Sequence, residues 1–221
     1  MVRRMVVIGG SLGGIEAVET LLSELSPDFP WPVVVVLHRS PVDVSDGLRD
    51  VIGRRSALPV AEAEDKDLAR PGRVYVAPAD YHLLVEGEAL ALSTDDRVHW
   101  ARPSIDVLFD SAAATCGAGL VAVVLTGASA DGAEGARAVK SNGGTLLVQD
   151  PSTAESPVMP RSAIDAAEVD AVLTVAGIAA RLNALASASD AAPPPEGSGT
   201  PAPTAGSARD SARPHRRGRH G

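Results

Sequence analysis

Four short apolar runs constrain this chain more than any other feature: residues 5–9, 33–37, 121–126 and 145–149. Each holds five or six residues with almost no polar break. A strand with one wet face alternates apolar and polar residues. An unbroken apolar run marks a strand covered on both faces. Segments with helical spacing lie between the runs, such as Ile15, Val18, Leu21, Leu22 and Leu25. Strands that alternate with helices in this way predict an α/β fold: a doubly wound, mostly parallel sheet with helices on both faces.

The middle of the chain breaks the alternation. Residues 73–77, 81–85 and 89–93 are short strand-like stretches, the last two flanking Gly87, and predict an antiparallel hairpin insertion. Helices are expected over 44–52, from Pro103 to Cys116 with Ser104 as N-cap, over 130–141, near 161–167 and over 176–186. Short strands are expected over 59–63 and 171–174. Aromatic residues are 3% of the chain, so the core is aliphatic.

From Ser187 onward the composition turns to Ala, Pro, Ser and Gly, with an Arg- and His-rich end. The expected organisation is one domain over 1–186 and a disordered tail over 187–221. The net charge is −8 although the tail carries five Arg, so the body is acidic. An acidic body argues against broad nucleic-acid or anionic-membrane binding, which need basic surface. No stretch reaches the ~18 apolar residues of a membrane span. The apolar residues after Arg3 and Arg4 are too few for a signal peptide, so the cytoplasm is expected. Cys116 is the single cysteine, which leaves no intrachain disulfide and no multi-cysteine metal site.

The first run leads into Gly9-Gly10-Ser11-Leu12-Gly13-Gly14 and then a helix. A dinucleotide fingerprint needs glycine at its third position, where Ser11 stands, and the side chain would hinder a pyrophosphate. The same residues fit G-x-S-x-G, a turn that lifts a serine off the end of a strand toward a helix N-terminus. Its structural alternative is a plain glycine turn. His38 follows the second run, and in a parallel sheet it shares the carboxyl edge with Ser11. Asp131 follows the third run, where it acts as a triad carboxylate, a helix N-cap or both. Asp150 ranks lower because Pro151 follows it. His82 and His99 read as structural or surface residues. The order Ser, His, Asp differs from the Ser, acid, His order of α/β-hydrolases, which sets that family aside.

Several spaced segments resemble one family. They are VVIGGSLGG around Ser11, VVVLHRSP around His38, AEDKDLARPGRVYVAPADYHL at 61–83, RPSIDVLFDS at 102–111, VVLTGASADGAEG at 123–135 and VMPRSAI at 158–164. Together they resemble the catalytic domain of CheB, the chemotaxis receptor methylesterase and glutamine deamidase. The resemblance covers about residues 5–185. It implies a serine hydrolase with Ser11 as nucleophile, His38 as base and Asp131 as its carboxylate. Methylated chemoreceptor-like proteins are the implied substrates, and no cofactor is expected. Backbone N–H groups of Leu12 and Ala128 are the expected oxyanion donors. Leu12 stands where the family usually has Thr, and Ala128 where it usually has Met. No receiver-like segment precedes these motifs. Activity without a phosphodonor is therefore expected, with an acidic face of Asp43, Asp46 and Asp50 near His38 and control by expression, by a separate partner such as a receiver protein, or by substrate co-localisation. The alternatives are a nucleotide-binding module and a catalytically idle module with the same fold.

Residues 187–221 hold too few large apolar side chains to offset the entropy of ordering them. A chain truncated near Ala186 is expected to keep its melting temperature and esterase rate. Thermal melts and ester hydrolysis of the two lengths check this, and a large fall in both would show that the tail packs on the domain.

Overall fold

The computed structural model describes residues 4–38 and 47–190. The strands are β1 (Met5–Gly10), β2 (Val33–Leu37), β3 (Val60–Glu62), β4 (Val74–Val76), β5 (His82–Glu86), β6 (Ala89–Ser93), β7 (Leu120–Val124), β8 (Thr145–Gln149) and β9 (Ala171–Leu173). The helices are α1 (Gly14–Ser23), α2 (Gly47–Gly53), α3 (Ile105–Cys116), α4 (Ala133–Ser141), α5 (Val158–Ala166) and α6 (Val175–Asp190).

Seven strands form one parallel sheet in the order β3-β4-β2-β1-β7-β8-β9, and β5 and β6 form a separate antiparallel pair. The doubly wound sheet and the β5–β6 hairpin agree with the expectation. Residues 73–77, grouped with the hairpin from the sequence, instead supply β4, a parallel strand of the main sheet between β2 and β3, because the run Val74–Val76 is buried on both faces. Every residue of β1, β2 and β7 is buried, as continuous apolar runs require. Side chains leave a strand alternately to its two faces. In β1, Val6 and Ile8 join the core under α1, α2 and α6. Met5 and Val7 join the core under α3, α4, α5 and the hairpin. The hairpin thus covers part of a face that helices cover elsewhere.

The chain winds from β1 outward through β2 to the β3 edge, then returns to β7 and winds the other way. The switch of direction falls between β1 and β7. Open α/β sheets leave a crevice outside the carboxyl ends of the strands at such a point. The segments that follow β1, β2 and β7 begin with Ser11, His38 and Leu125, so all three open onto one edge.

Several boundaries differ from the sequence expectations. Helix α2 begins at Gly47; the expected start at Val44, with Asp43 and Asp46, lies outside the described residues. Helix α4 begins at Ala133, three residues later than expected, because Gly132 holds a left-handed φ of 100° and ends the preceding turn. Helix α5 begins at Val158, and its start carries Pro160 among the first-turn positions, where a missing N–H costs little. Helix α6 runs on through Asp190, beyond the expected end at Ala186. Its residues Ile178, Ala179, Leu182 and Ala186 are buried, so a truncation is better placed after Asp190. Residues 191–221 lie outside the described residues.

The start of α3 rests directly on the end of β1. A Cβ at Gly9 would lie 2.4 Å from Ile105 Cγ2, far inside contact distance. Only a glycine lets the helix approach this closely. Gly9→Ala should therefore push the first turn of α3 outward and cost about 1–3 kcal/mol of stability, as overpacking does. Urea or thermal denaturation would detect the loss; an unchanged melting temperature would show that Ile105 gives way freely.

Candidate active site

Ser11 stands one residue past β1. Its N–H donates to Thr126 O at 2.9 Å, and its carbonyl accepts from Gly14 N–H at 2.8 Å, which closes the turn into α1. Gly13, the N-cap of α1, has φ 77°. A side chain there would be strained and would also run into Glu155. The short strand-to-helix bend is thus built on glycine conformation. On its other side, a Cβ at Gly127 would come within 3.0 Å of Ser11 Cβ and closer still to Met159. The loops after β1 and β7 therefore touch at Ser11, with the buried Met159 behind Gly127.

His38 follows β2. The register pairs Gly10 with Leu37, and His38 N–H donates to Gly10 O at 3.1 Å. Ser11 and His38 are therefore neighbours across one strand spacing of about 4.8 Å. His38 Nε2 lies 2.6 Å from Asp131 Oδ2. An ionised carboxylate only accepts hydrogen bonds, so Nε2 carries the proton and the neutral ring keeps its lone pair on Nδ1. The Ser11 side chain is half-buried, and its hydroxyl forms no hydrogen bond among the described residues.

Asp131 is the most heavily bonded group of the site. Its Oδ1 accepts from Ser104 Oγ at 2.8 Å and Asp106 N–H at 3.1 Å. Its Oδ2 accepts from Ile105 N–H at 2.7 Å as well as from His38. Asp131 thereby caps α3, a helix 26 residues earlier in the chain, rather than α4 beside it. This corrects the capping role read from the sequence. Ser104 does occupy the N-cap position of α3, yet its hydroxyl serves Asp131 instead of its own helix. Burial alone would raise the Asp131 pKa. The hydrogen bonds from His38, the Ile105 and Asp106 N–H groups and Ser104 outweigh it and lower the pKa.

Two further residues reach the site that sequence reading left out of it. His82 is buried; its Nδ1 accepts from Ser104 N–H at 3.2 Å and its Nε2 donates to Asp96 O at 3.1 Å. It is structural, as expected, but it stands directly behind Ser104. Asp106 caps α4 by accepting from Gly132 and Gly135 N–H at 2.9 and 2.7 Å. The Ser104-Ile105-Asp106 sequence at a helix start was the available signal. Its partners lie more than 20 residues away and leave no local trace. His99 is more than half exposed, with Nε2 3.5 Å from Asp106 Oδ2. Asp150 accepts the N–H of Ser152 in its own turn. The N–H groups of Leu12 and Ala128 make no hydrogen bond among the described residues, and both residues are exposed on the two loops that meet at Ser11. Of the three acids placed near His38 from the sequence, Asp50 is exposed on α2, and the other two lie outside the described residues.

A serine on a strand-to-helix turn beside a buried carboxylate–imidazole pair narrows the field, and comparison with known proteins decides the family. A model of the CheB methylesterase family matches residues 6–182. The chain belongs to that family. A Leptospira interrogans protein named "Putative protein-glutamate methylesterase/protein-glutamine glutaminase" is 45% identical over 175 residues, covering 79% of this chain and 90% of the relative. A protein-glutamate methylesterase/protein-glutamine glutaminase of Anaeromyxobacter dehalogenans is 43% identical over 182 residues, covering 82% of this chain and 53% of the relative. This chain thus matches about half of that longer protein. Among solved structures, the Thermotoga maritima CheB methylesterase catalytic domain superposes with a TM-score of 0.79 at 35% identity, covering 84% of this chain and 100% of that one. Membership in the CheB family does not support the nucleotide-binding alternative.

Ser104→Ala removes one donor to a fully desolvated carboxylate oxygen while leaving the backbone donors of Ile105 and Asp106. A buried hydrogen bond to a charged group is worth about 1.5–3 kcal/mol. Chemical denaturation should show a loss in that range, with a fall in ester hydrolysis as the Asp131–His38 pair loosens. A variant with native stability and rate would show that the backbone donors alone hold Asp131.

Proposed function

We propose that this chain is a serine hydrolase that demethylates glutamyl methyl esters on chemoreceptor-like proteins, with Ser11 as nucleophile, His38 as general base and Asp131 as the carboxylate that orients it. The observation that carries the reading is the 2.6 Å His38–Asp131 contact one strand away from Ser11, in a chain of the CheB family. The pairing fixes the His38 tautomer, so Nδ1 is the atom free to take the Ser11 proton.

In this mechanism the Ser11 hydroxyl turns onto Nδ1 and attacks the ester carbonyl carbon. His38 takes the proton and becomes an imidazolium, which Asp131 stabilises. The carbonyl oxygen gains negative charge beside the N–H groups of Leu12 and Ala128, the candidate oxyanion donors. Collapse of the tetrahedral intermediate breaks the C–O bond, and His38 returns the proton to methoxide, releasing methanol. Water then enters, His38 removes its proton, and hydrolysis of the acyl-serine leaves glutamate and free Ser11. The same steps applied to a glutamine amide release ammonia. That second activity is carried in the names of the relatives. An acidic protein surface suits an uncharged ester or amide better than the product carboxylate, which favours release.

Ser11→Ala should lose fluorophosphonate labelling and methanol release from methylated receptors, with the fold intact by circular dichroism. His38→Gln and Asp131→Asn should each lose most of the rate, because members of such a unit are not additive. A single loss of about 10⁴-fold in kcat is the expected scale for the carboxylate. Undiminished labelling of Ser11→Ala would overturn the assignment of the nucleophile. Asp131→Asn within a few-fold of wild type would reduce Asp131 to a helix cap.

A further inference from the structure

Asp131 and Asp106 hold each other's helices. The carboxylate of Asp131 caps α3 through the N–H groups of Ile105 and Asp106. The carboxylate of Asp106 caps α4 through the N–H groups of Gly132 and Gly135. Each acid therefore accepts from the backbone beside the other. Gly132 is the residue next to Asp131, so the Asp106 contact fixes the turn that presents Asp131 to His38. A side chain at Gly132 would also meet Ile105, with Cγ2 2.9 Å from its Cβ, which shows how closely the two helix starts are fitted.

Capping uses only Asp106 Oδ1. Oδ2 is buried and makes no hydrogen bond among the described residues. A neutral asparagine would cap α4 equally well and would not place a second negative charge beside Asp131. The charged and titratable groups around Asp106 are Asp131 and Glu134 at the start of α4, Arg137 on the next turn, His99 from the turn before α3, and Asp110 one turn along α3. Burial foremost, and the Asp131 charge, push the Asp106 pKa up to about 6, against the pull of the Gly135 and Gly132 N–H groups. A carboxyl whose pKa is raised by folding binds its proton more tightly in the folded chain, so stability falls as pH rises through that window. The ionised form is present at pH 8 at a cost in stability.

We propose that Asp106 is a positioning residue for the hydrolysis, acting through Asp131: it fixes the Asp131 turn, and its charge supports the cation that forms on His38 during turnover. The inference rests on the serine-hydrolase reading above and adds a fourth residue to it.

Asp106→Asn separates the two effects, because it keeps the Oδ1 acceptor and removes the charge. The full chain would be assayed at pH 8 with an activated ester, with active sites counted by fluorophosphonate labelling. The expected result is kcat per labelled site down about tenfold, the factor equivalent to one pK unit of lost charge interaction, with KM little changed and the melting temperature at pH 8 no lower than wild type. The acid limb of the rate profile should also flatten. Protonation of Asp106 near pH 6 contributes to that limb in wild type and is absent from the variant. Asp106→Ala, which also removes the cap, should lose both rate and melting temperature. If Asp106→Asn does not fold, Asp106→Ser, an uncharged acceptor, reads the same kcat and pH limb. A variant with kcat per site within twofold of wild type and an unchanged limb would overturn the inference, as would a loss confined to KM. Wild type that fails to label at all would instead overturn the serine-hydrolase reading, and this inference with it.

Discussion

The carboxylate of Asp131 is the point on which the site is assembled. It sits buried at the N-terminus of α3, takes three donors from the Ser104–Asp106 segment, and gives its remaining valence to His38. A buried carboxylate without partners would be protonated, because desolvation penalises its charge. Here the His38 hydrogen bond, the helix N-terminus and the serine hydroxyl together supply enough compensation to hold its pKa below the ordinary value. The negative charge that orients an imidazole is thus kept by a helix from a different part of the chain. The serine-histidine-aspartate reading depends on that arrangement more than on the serine turn itself.

The parallel sheet explains why such distant residues meet. Parallel strands place the residues that follow each strand on one edge, whatever the sequence separation. Ser11 follows β1, His38 follows β2 and Asp131 follows the loop after β7, and these three strands are adjacent in the sheet. Their interiors are buried on both faces, so the edge is a rigid platform. Glycine at residues 9, 13 and 127 then lets α3, Glu155 and Met159 come close without side-chain collision. The platform and the close approaches together bring the Ser11 turn, the His38 ring and the capped carboxylate to one place.

Asp131 and Asp106 also show how stability and function can pull apart. Capping two helices with two carboxylates a short distance apart is not the most stable choice, since each disfavours the charge on the other. The molecule tolerates this beside the imidazole of His38, where the proposed mechanism would place a positive charge. Buried polar networks of this kind are costly when partly satisfied, and Asp106 Oδ2, with no hydrogen bond among the described residues and only the half-exposed His99 ring 3.5 Å away, is the visible remainder of that cost.

The sequence by itself determined the core of the sheet, its parallel winding and the edge on which the candidate residues lie, but not the place of β4, whose short run reads as part of the neighbouring hairpin. These follow from local patterns: unbroken apolar runs, helical spacing and glycine turns, each readable within about ten residues. It also carried the spaced motifs that place the chain in the CheB family. What it left to the tertiary structure were contacts whose partners have no local signature. The Asp131 cap joins residues 26 apart, so Asp131 read equally well as a cap for its own following helix. Ser104 read as its helix's N-cap because the residue type and position suit one, while the hydroxyl's true partner came from β7's loop. The end of α6 was obscured for a different reason. Its last turn, residues 187–190, is Ser, Ala and Asp, a composition that reads as linker, and only the folded backbone shows the helix running on through it. Asp106 gave no sign of its place in the site, because a burial and a pair of backbone donors decide it, and both exist only once α3 and α4 are side by side.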